Sequence, residues 1–303
     1  MLNQQPWEKR IGRQRNWIWR GWPIRYTYFR CSGNLGGTQK PPLILLHGFG
    51  AAIEHWRHNI SILAQEHSVY ALDLLGFGGS KKAATDYTIY LWTQQVYDFW
   101  QTFMDEPVIL VGNSLGSLVC LTLASEHREM VESIAMISLP DVSWRQEMIP
   151  KLLQPIVNSL EAIIASPLLI RGLLRILRLR GMIRPWVTLA YSDRSAITDE
   201  LVEIITTPTH DQGAARTLSL LVEGVRNPQF APSVKGVLPN LNLPILLIWG
   251  KQDRFIPPSF APIFAKLNPQ ITLIELEQVG HCPQDECPDK FNRILLDWIN
   301  NLN

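Results

Sequence analysis

The sequence predicts an α/β fold, a mostly parallel sheet with helices on both faces and a helical segment inserted late in the chain. Three observations carry that expectation. Short apolar runs bounded by Gly, Pro or Asp alternate with longer stretches of helical period, as buried parallel strands and their crossover helices do. Between about residues 140 and 235 the strand signals vanish, and prolines at 150, 155, 167, 185, 208, 228 and 232 separate helical patterns. Two further strand-like runs follow that segment, so it is bracketed by core. With 303 residues and 46% apolar content, the chain can bury one large core and still carry an insertion.

Taken in order, strands are expected at 24–30, 43–47, 68–73, 108–112, 133–138, 244–249 and 271–276. Helices are expected at 54–66, 88–104, 115–126 and 287–301. The organisation is therefore core over 1–139, helical lid over 140–235 and core again over 236–303. Within the lid, Ser166 suits an N-cap, Pro167 a first helical position and Gly181 a helix end. Arg171, Arg175 and Arg178 follow a four-then-three spacing and share one face, while leucines and isoleucines cover the other. That face suits either a solvated lid surface or peripheral contact with an anionic membrane. Leu152, Leu153, Ile156, Ile163, Ile164, Leu168, Leu169, Leu173 and Leu174 suit either lid packing or the wall of an apolar substrate site.

Charge and cysteine usage exclude several classes. The 28 basic and 27 acidic residues leave a net charge of +1, so no global field favours nucleic acid. The first thirty residues are locally basic, with Lys9, Arg10, Arg13, Arg15, Arg20, Arg25 and Arg30 against Glu8. Cys31, Cys120, Cys282 and Cys287 show no disulfide framework and no second pair to complete a metal site. Residues 1–10 lack a signal-like apolar stretch, and the apolar run 152–170 is broken by Gln154, Pro155, Asn158, Glu161 and Pro167. The expected location is cytoplasmic, with an internal membrane surface as the place for the basic helix.

The chemistry is read from one motif and its downstream partners. Gly112-Asn113-Ser114-Leu115-Gly116 follows the apolar run Pro107–Val111 and precedes a helix, which suits a serine nucleophile on a sharp strand-to-helix turn. A serine hydroxyl needs a base to take its proton and a carboxylate to orient that base. Asp253 follows the strand 244–249, and His281 follows 271–276 behind Gly280, giving the order Ser, Asp, His at strand ends. Asp141 is the rival acid, with Asp73 and Asp285 weaker ones. Asp73 suits a brace for the turn 74–80, and Asp285 falls on a segment expected to be exposed. His55 and His58 are expected at the surface or lining a cleft, without metal, and His47 is expected to pin its loop. The backbone N–H groups of Phe49 and Leu115 are placed to hold an oxyanion.

The set His47-Gly48-Phe49-Gly50, Asp73 to Ser80, Gly112 to Gly116, Gly250 to Pro257 and Gly280-His281 resembles the α/β-hydrolase superfamily over nearly the whole chain. That resemblance implies eight mostly parallel strands, a lid after the sixth, and a triad on Ser114, His281 and Asp253. Trp19-Arg20-Gly21, His55-Trp56-Arg57-His58-Asn59 and the serine motif are similar to the cyanobacterial and chloroplast branch that includes pheophytinases. The expected activity is hydrolysis of a carboxylic ester of a large apolar substrate, such as a phytol ester, without metal or organic cofactor. Carbon-carbon bond cleavage on the same triad and a non-catalytic receptor on the same scaffold are the alternatives.

Overall fold

The computed structural model describes residues 6–33, 40–142, 167–178 and 180–302. Eight strands form one sheet in the order β1-β2-β4-β3-β5-β6-β7-β8. They are β1 Gln14–Trp19, β2 Trp22–Phe29, β3 Leu43–Leu46, β4 Val69–Leu72, β5 Val108–Asn113, β6 Val131–Ile137, β7 Ile245–Gly250 and β8 Ile271–Leu276. β2 runs antiparallel to both β1 and β4, and every other pair is parallel. The central strands β3, β5 and β7 are buried along their whole length, which is why they read as unbroken apolar runs.

Period-two alternation then sorts these strands onto two cores. Ile44, Leu46 and Leu110 join the cluster built with α1 Ile89–Phe103 and α2 Leu115–Glu126, whereas Leu43, Leu45 and Ile109 join a second cluster on the opposite face. Among the described residues, four helices of eight residues or more lie between β6 and β7, in the stretch expected to form the lid: α3 Pro167–Leu177, α4 Arg180–Ala190, α5 Asp199–Thr206 and α6 Ala214–Arg226. The last long helix, α7 Pro288–Asn300, buries Phe291, Leu295 and Ile299 at intervals of four against that second cluster. Thr88 caps α1 by accepting the Leu91 N–H, and Pro288 opens α7 where no N–H is needed.

Three sequence expectations change. β1 is an additional strand, an edge with a mostly exposed face, joined to β2 by a turn with positive φ at Arg20 (+49°) and Gly21 (+82°). Arginine at that first turn position hides the usual Asn-Gly or Asp-Gly hairpin signal. The expected helix 54–66 is instead a short 3₁₀ turn, Ile53–Trp56, and a separate helical turn, Ile60–Leu63. Asp73 takes the Ile53 N–H and fixes the start of the first turn. Finally, Arg178 donates twice to the Thr209 carbonyl within the lid, so the cationic face is not wholly given to solvent; Arg175 is exposed. The side chains of Leu168, Arg171 and Leu173, and the residues Leu152, Leu153, Ile156, Ile163 and Ile164, lie outside the described ones.

Two of the seven basic residues of the N-terminal stretch are held internally, and Lys9, Arg13, Arg15, Arg20 and Arg30 are exposed. Arg25 pairs with Asp73 and Glu54, and Arg10 pairs with Glu200 of α5. Among the described residues no helix is long and apolar enough to cross a membrane, and all four cysteines are unbridged thiols.

Candidate active site

Ser114 sits between the last residue of β5 and the first of α2 with φ +54° and ψ −113°, a backbone conformation costly for any residue but glycine. The flanking glycines make it possible. A Cβ on Gly112 would lie 2.4 Å from the Gly116 carbonyl, and one on Gly116 would lie 2.3 Å from the Leu46 carbonyl oxygen. The Ser114 N–H donates to Ile137 of β6 at 2.8 Å, so the neighbouring strand holds the turn.

Asp253 and His281 meet beyond the ends of β7 and β8. His281 Nδ1 lies 2.8 Å from Asp253 Oδ2, while Asp253 Oδ1 accepts the backbone N–H groups of Phe255 and Ile256 at 2.8 and 2.9 Å. The carboxylate is thereby satisfied on both oxygens, and its orientation is fixed. The Phe255 ring stands edge-on to the imidazole at 5.3 Å. Asn113, immediately before Ser114, donates its side-chain N–H to the His281 carbonyl at 3.0 Å and so ties the serine turn to the histidine loop.

Among the rival acids, Asp253 and not Asp141 partners the imidazole. Asp285 corrects an expectation: it is buried at 6% exposure, pairs with Arg57 at 2.7 Å and accepts the Tyr191 hydroxyl at 2.6 Å. The helical turn Pro283–Glu286 packs under the lid, so the segment after His281 is internal.

The loop after β3 lies against the serine. A Cβ on Gly48 would come within 3.3 Å of Ser114 Cβ. The Phe49 and Leu115 N–H groups have no acceptor among the described residues, and both residues line a cavity that Ser114 also lines. His47 braces this loop. Its Nδ1 donates to the Gly48 carbonyl at 2.7 Å, and its Nε2 accepts the Leu74 N–H at 3.0 Å. Burial holds the His47 ring below its usual pKa and hence neutral, as that bonding requires. Asp73 braces the turn that follows it, accepting from Gly79 at 2.7 Å and from Arg25. Burial would raise its carboxyl, but the Arg25 guanidinium, together with the Ile53 N–H, outweighs burial and keeps it below the usual range.

Among the described residues, two cavities border Ser114. One, of about 410 Å³, is lined by His281, His55 and the lid residues Ile183, Trp186 and Val187. The other, of about 390 Å³, is lined by Leu115, Leu118, Val222, Val225, Phe230 and Arg226. Ser114 and Phe49 border both. His55 is buried on the wall of the first, with neither ring nitrogen partnered among the described residues, and burial pushes its pKa down to about 3. His58, half-buried, meets Arg10, and burial with Arg57 lowers its pKa to about 4. No group of three or more His, Cys, Asp or Glu side chains among the described residues could hold a metal ion.

Residues 43–294 match the sequence profile of the alpha/beta hydrolase family. The protein belongs to that family. It has the mixed, mostly parallel eight-stranded sheet of that fold, and it spans less than two thirds of the length of two of the curated relatives it matches. Among curated relatives it is 23% identical to the chloroplastic pheophytinase of Arabidopsis thaliana, over 86% of this chain and 62% of that protein. It is 26% identical to the 2-hydroxy-6-oxo-6-(2'-aminophenyl)hexa-2,4-dienoic acid hydrolase of Metapseudomonas resinovorans, over 86% of this chain and 84% of that one. In structure it resembles the carbazole-degradation serine hydrolase CarC, with a TM-score of 0.76 at 22% identity, covering 95% of this chain and 98% of the other.

Two features of the site escaped the sequence reading. Asn113 was legible only as a residue beside the serine, and Glu286 only as one acid of a polar segment. Glu286 lies five positions after His281, and that spacing acquires meaning only once the chain turns through Pro283–Glu286.

Proposed function

We propose that this protein hydrolyses a carboxylic ester with apolar groups on both sides of the carbonyl. The observation that carries this reading is the His281–Asp253 pair, held at 2.8 Å, on the cavity that Ser114 also borders. Ser114 Oγ attacks the carbonyl carbon while its proton passes to His281 Nε2, and the Phe49 and Leu115 N–H groups take the negative oxygen. His281 returns that proton to the alcohol oxygen as the carbon-oxygen bond breaks, leaving an acyl-serine. Water, deprotonated by the same imidazole, then releases the acid and restores the hydroxyl. Asp253 holds the Nδ1–H tautomer and balances the imidazolium.

The two cavities fit the two halves of such a substrate. His281 protonates the departing oxygen, so the alcohol belongs in the cavity that His281 lines. The acyl group, bound to Ser114, belongs in the one walled by Leu118 and Phe230. Long-chain alcohol esters of the phytol kind match the apolar lid wall of Ile183, Trp186 and Val187. A carbon-carbon bond hydrolase acting on a dienol-ketone is the second reading, favoured by Arg226 on the acyl side as a counter-charge for a carboxylate-bearing acyl group.

Assays of the purified protein on ethyl esters of rising acyl length, acetates of rising alcohol length, pheophytin and a dienol-ketone test this. Turnover is expected to rise with both chain lengths. Ser114→Ala is expected to lower kcat by on the order of 10³-fold or more, and Asp253→Asn by roughly 10²- to 10⁴-fold. Cleavage of the dienol-ketone alone supports the second reading, and no cleavage of any substrate overturns both.

A further inference from the structure

The histidine loop is stitched to the lid far more closely than the serine turn is. The backbone N–H of His281 donates to the Ala190 carbonyl at the end of α4, at 2.7 Å. The preceding residue, Gly280, packs so tightly there that a Cβ would lie 2.4 Å from the same oxygen. One side chain spans this seam. Glu286 Oε2 accepts the Gly280 N–H at 2.7 Å, while Oε1 accepts the Ser192 and Asp193 N–H groups at 2.8 and 2.6 Å. A carboxylate offers about four lone-pair sites, and here three are spent on backbone donors from two separate segments.

We propose that Glu286 is a positioning residue: it clamps the loop that carries His281 to lid residues Ser192 and Asp193, setting where the imidazole stands relative to Ser114. This rests on the triad reading above, and it extends that reading by making the lid a structural part of the acid-base machinery. α4 walls the His281 cavity through Ile183, Trp186 and Val187, and the three residues that follow Ala190 lead directly into the clamp. An alcohol group seated against α4 therefore presses on the element that fixes the histidine.

A second lid tie provides the control. Glu200 of α5 pairs with Arg10 and Arg57, joining lid to core with no direct bond, among the described residues, to Gly280, His281 or Glu286. Glu286→Ala is expected to lower kcat on ethyl acetate, a substrate too small to need the lid wall, by roughly 10- to 100-fold with KM within about twofold. Glu286→Gln, which keeps one acceptor oxygen, should fall between that variant and wild type. Glu200→Ala should lower Tm while leaving kcat below Tm unchanged. A proton spectrum adds a readout independent of substrate: the downfield His281 Nδ1–H signal, absent in Asp253→Asn, should broaden or vanish in Glu286→Ala and persist in Glu200→Ala. The clamp is overturned if Glu286→Ala keeps wild-type kcat and the Nδ1–H signal, or if Glu200→Ala lowers kcat equally. A wild type inert to every ester but with the signal responding as stated would instead sink the ester reading and leave the clamp standing.

Discussion

The serine turn and the histidine loop reach the same cavity by different means. Ser114 is fixed by backbone packed against backbone: Gly112 against Gly116, Gly116 against Leu46, and the Ser114 N–H on β6. His281 is fixed by side chains and by the lid, through Asp253, Asn113, Glu286 and the Ala190 carbonyl. The position of Ser114 is thus a property of the sheet, whereas that of His281 depends on how the insertion is seated. A strained φ persists only where its surroundings over-determine it, and the sheet provides that at Ser114.

Substituting the glycine on each side separates the two cases. Gly116→Ala forces a Cβ to 2.3 Å from a carbonyl of the central strand β3, which has no room to move. A loss of about 3 kcal/mol or more is expected in chemical denaturation, with little folded protein to assay. Gly280→Ala meets the Ala190 carbonyl at 2.4 Å, but that carbonyl ends a lid helix and can shift. Here the protein should stay folded and lose kcat by about 10²-fold as the histidine is displaced. Equal stability losses at the two sites would erase the distinction.

A smaller effect sharpens the comparison from the wall between these regions. His55, buried and neutral with a pKa near 3, gains a proton readily only in the unfolded chain, where its pKa is about 6.5. Its contribution is therefore intact above about pH 6.5 and is lost as pH falls toward the native value. Between about pH 7.5 and pH 5, unfolding free energy should drop by about 2 kcal/mol from this residue alone. Urea titrations at both pH values should show that drop reduced by about the same amount in His55→Leu. An unchanged difference would mean that His55 is solvated and that this wall admits charge.

The contrast also explains what could be read in advance. The placement of Ser114, Leu115, Phe49, Asp253 and His281 at strand ends was legible because each lies beside glycines or apolar runs, and those signals are local. β1 was missed because a mostly exposed edge strand offers weak alternation. The burial of Asp285 was missed because its partners, Arg57 and Tyr191, lie 228 and 94 residues away in sequence. Sequence separation likewise hid the use of Arg178 within the lid, 31 residues from Thr209, and the clamp at Glu286, 94 residues from Ser192.

By itself the sequence determined the strand set of the central sheet, the serine turn and the placing of Asp253 and His281 beyond the last two strands. Burial pattern and steric need at a glycine are written in consecutive residues, so they survive without the third dimension. Tertiary structure alone decided which carboxylate meets His281, which charges are internal, and how the lid holds the histidine loop. Those outcomes rest on hydrogen bonds between segments that share no local pattern, and only folding brings their donors and acceptors within 3 Å.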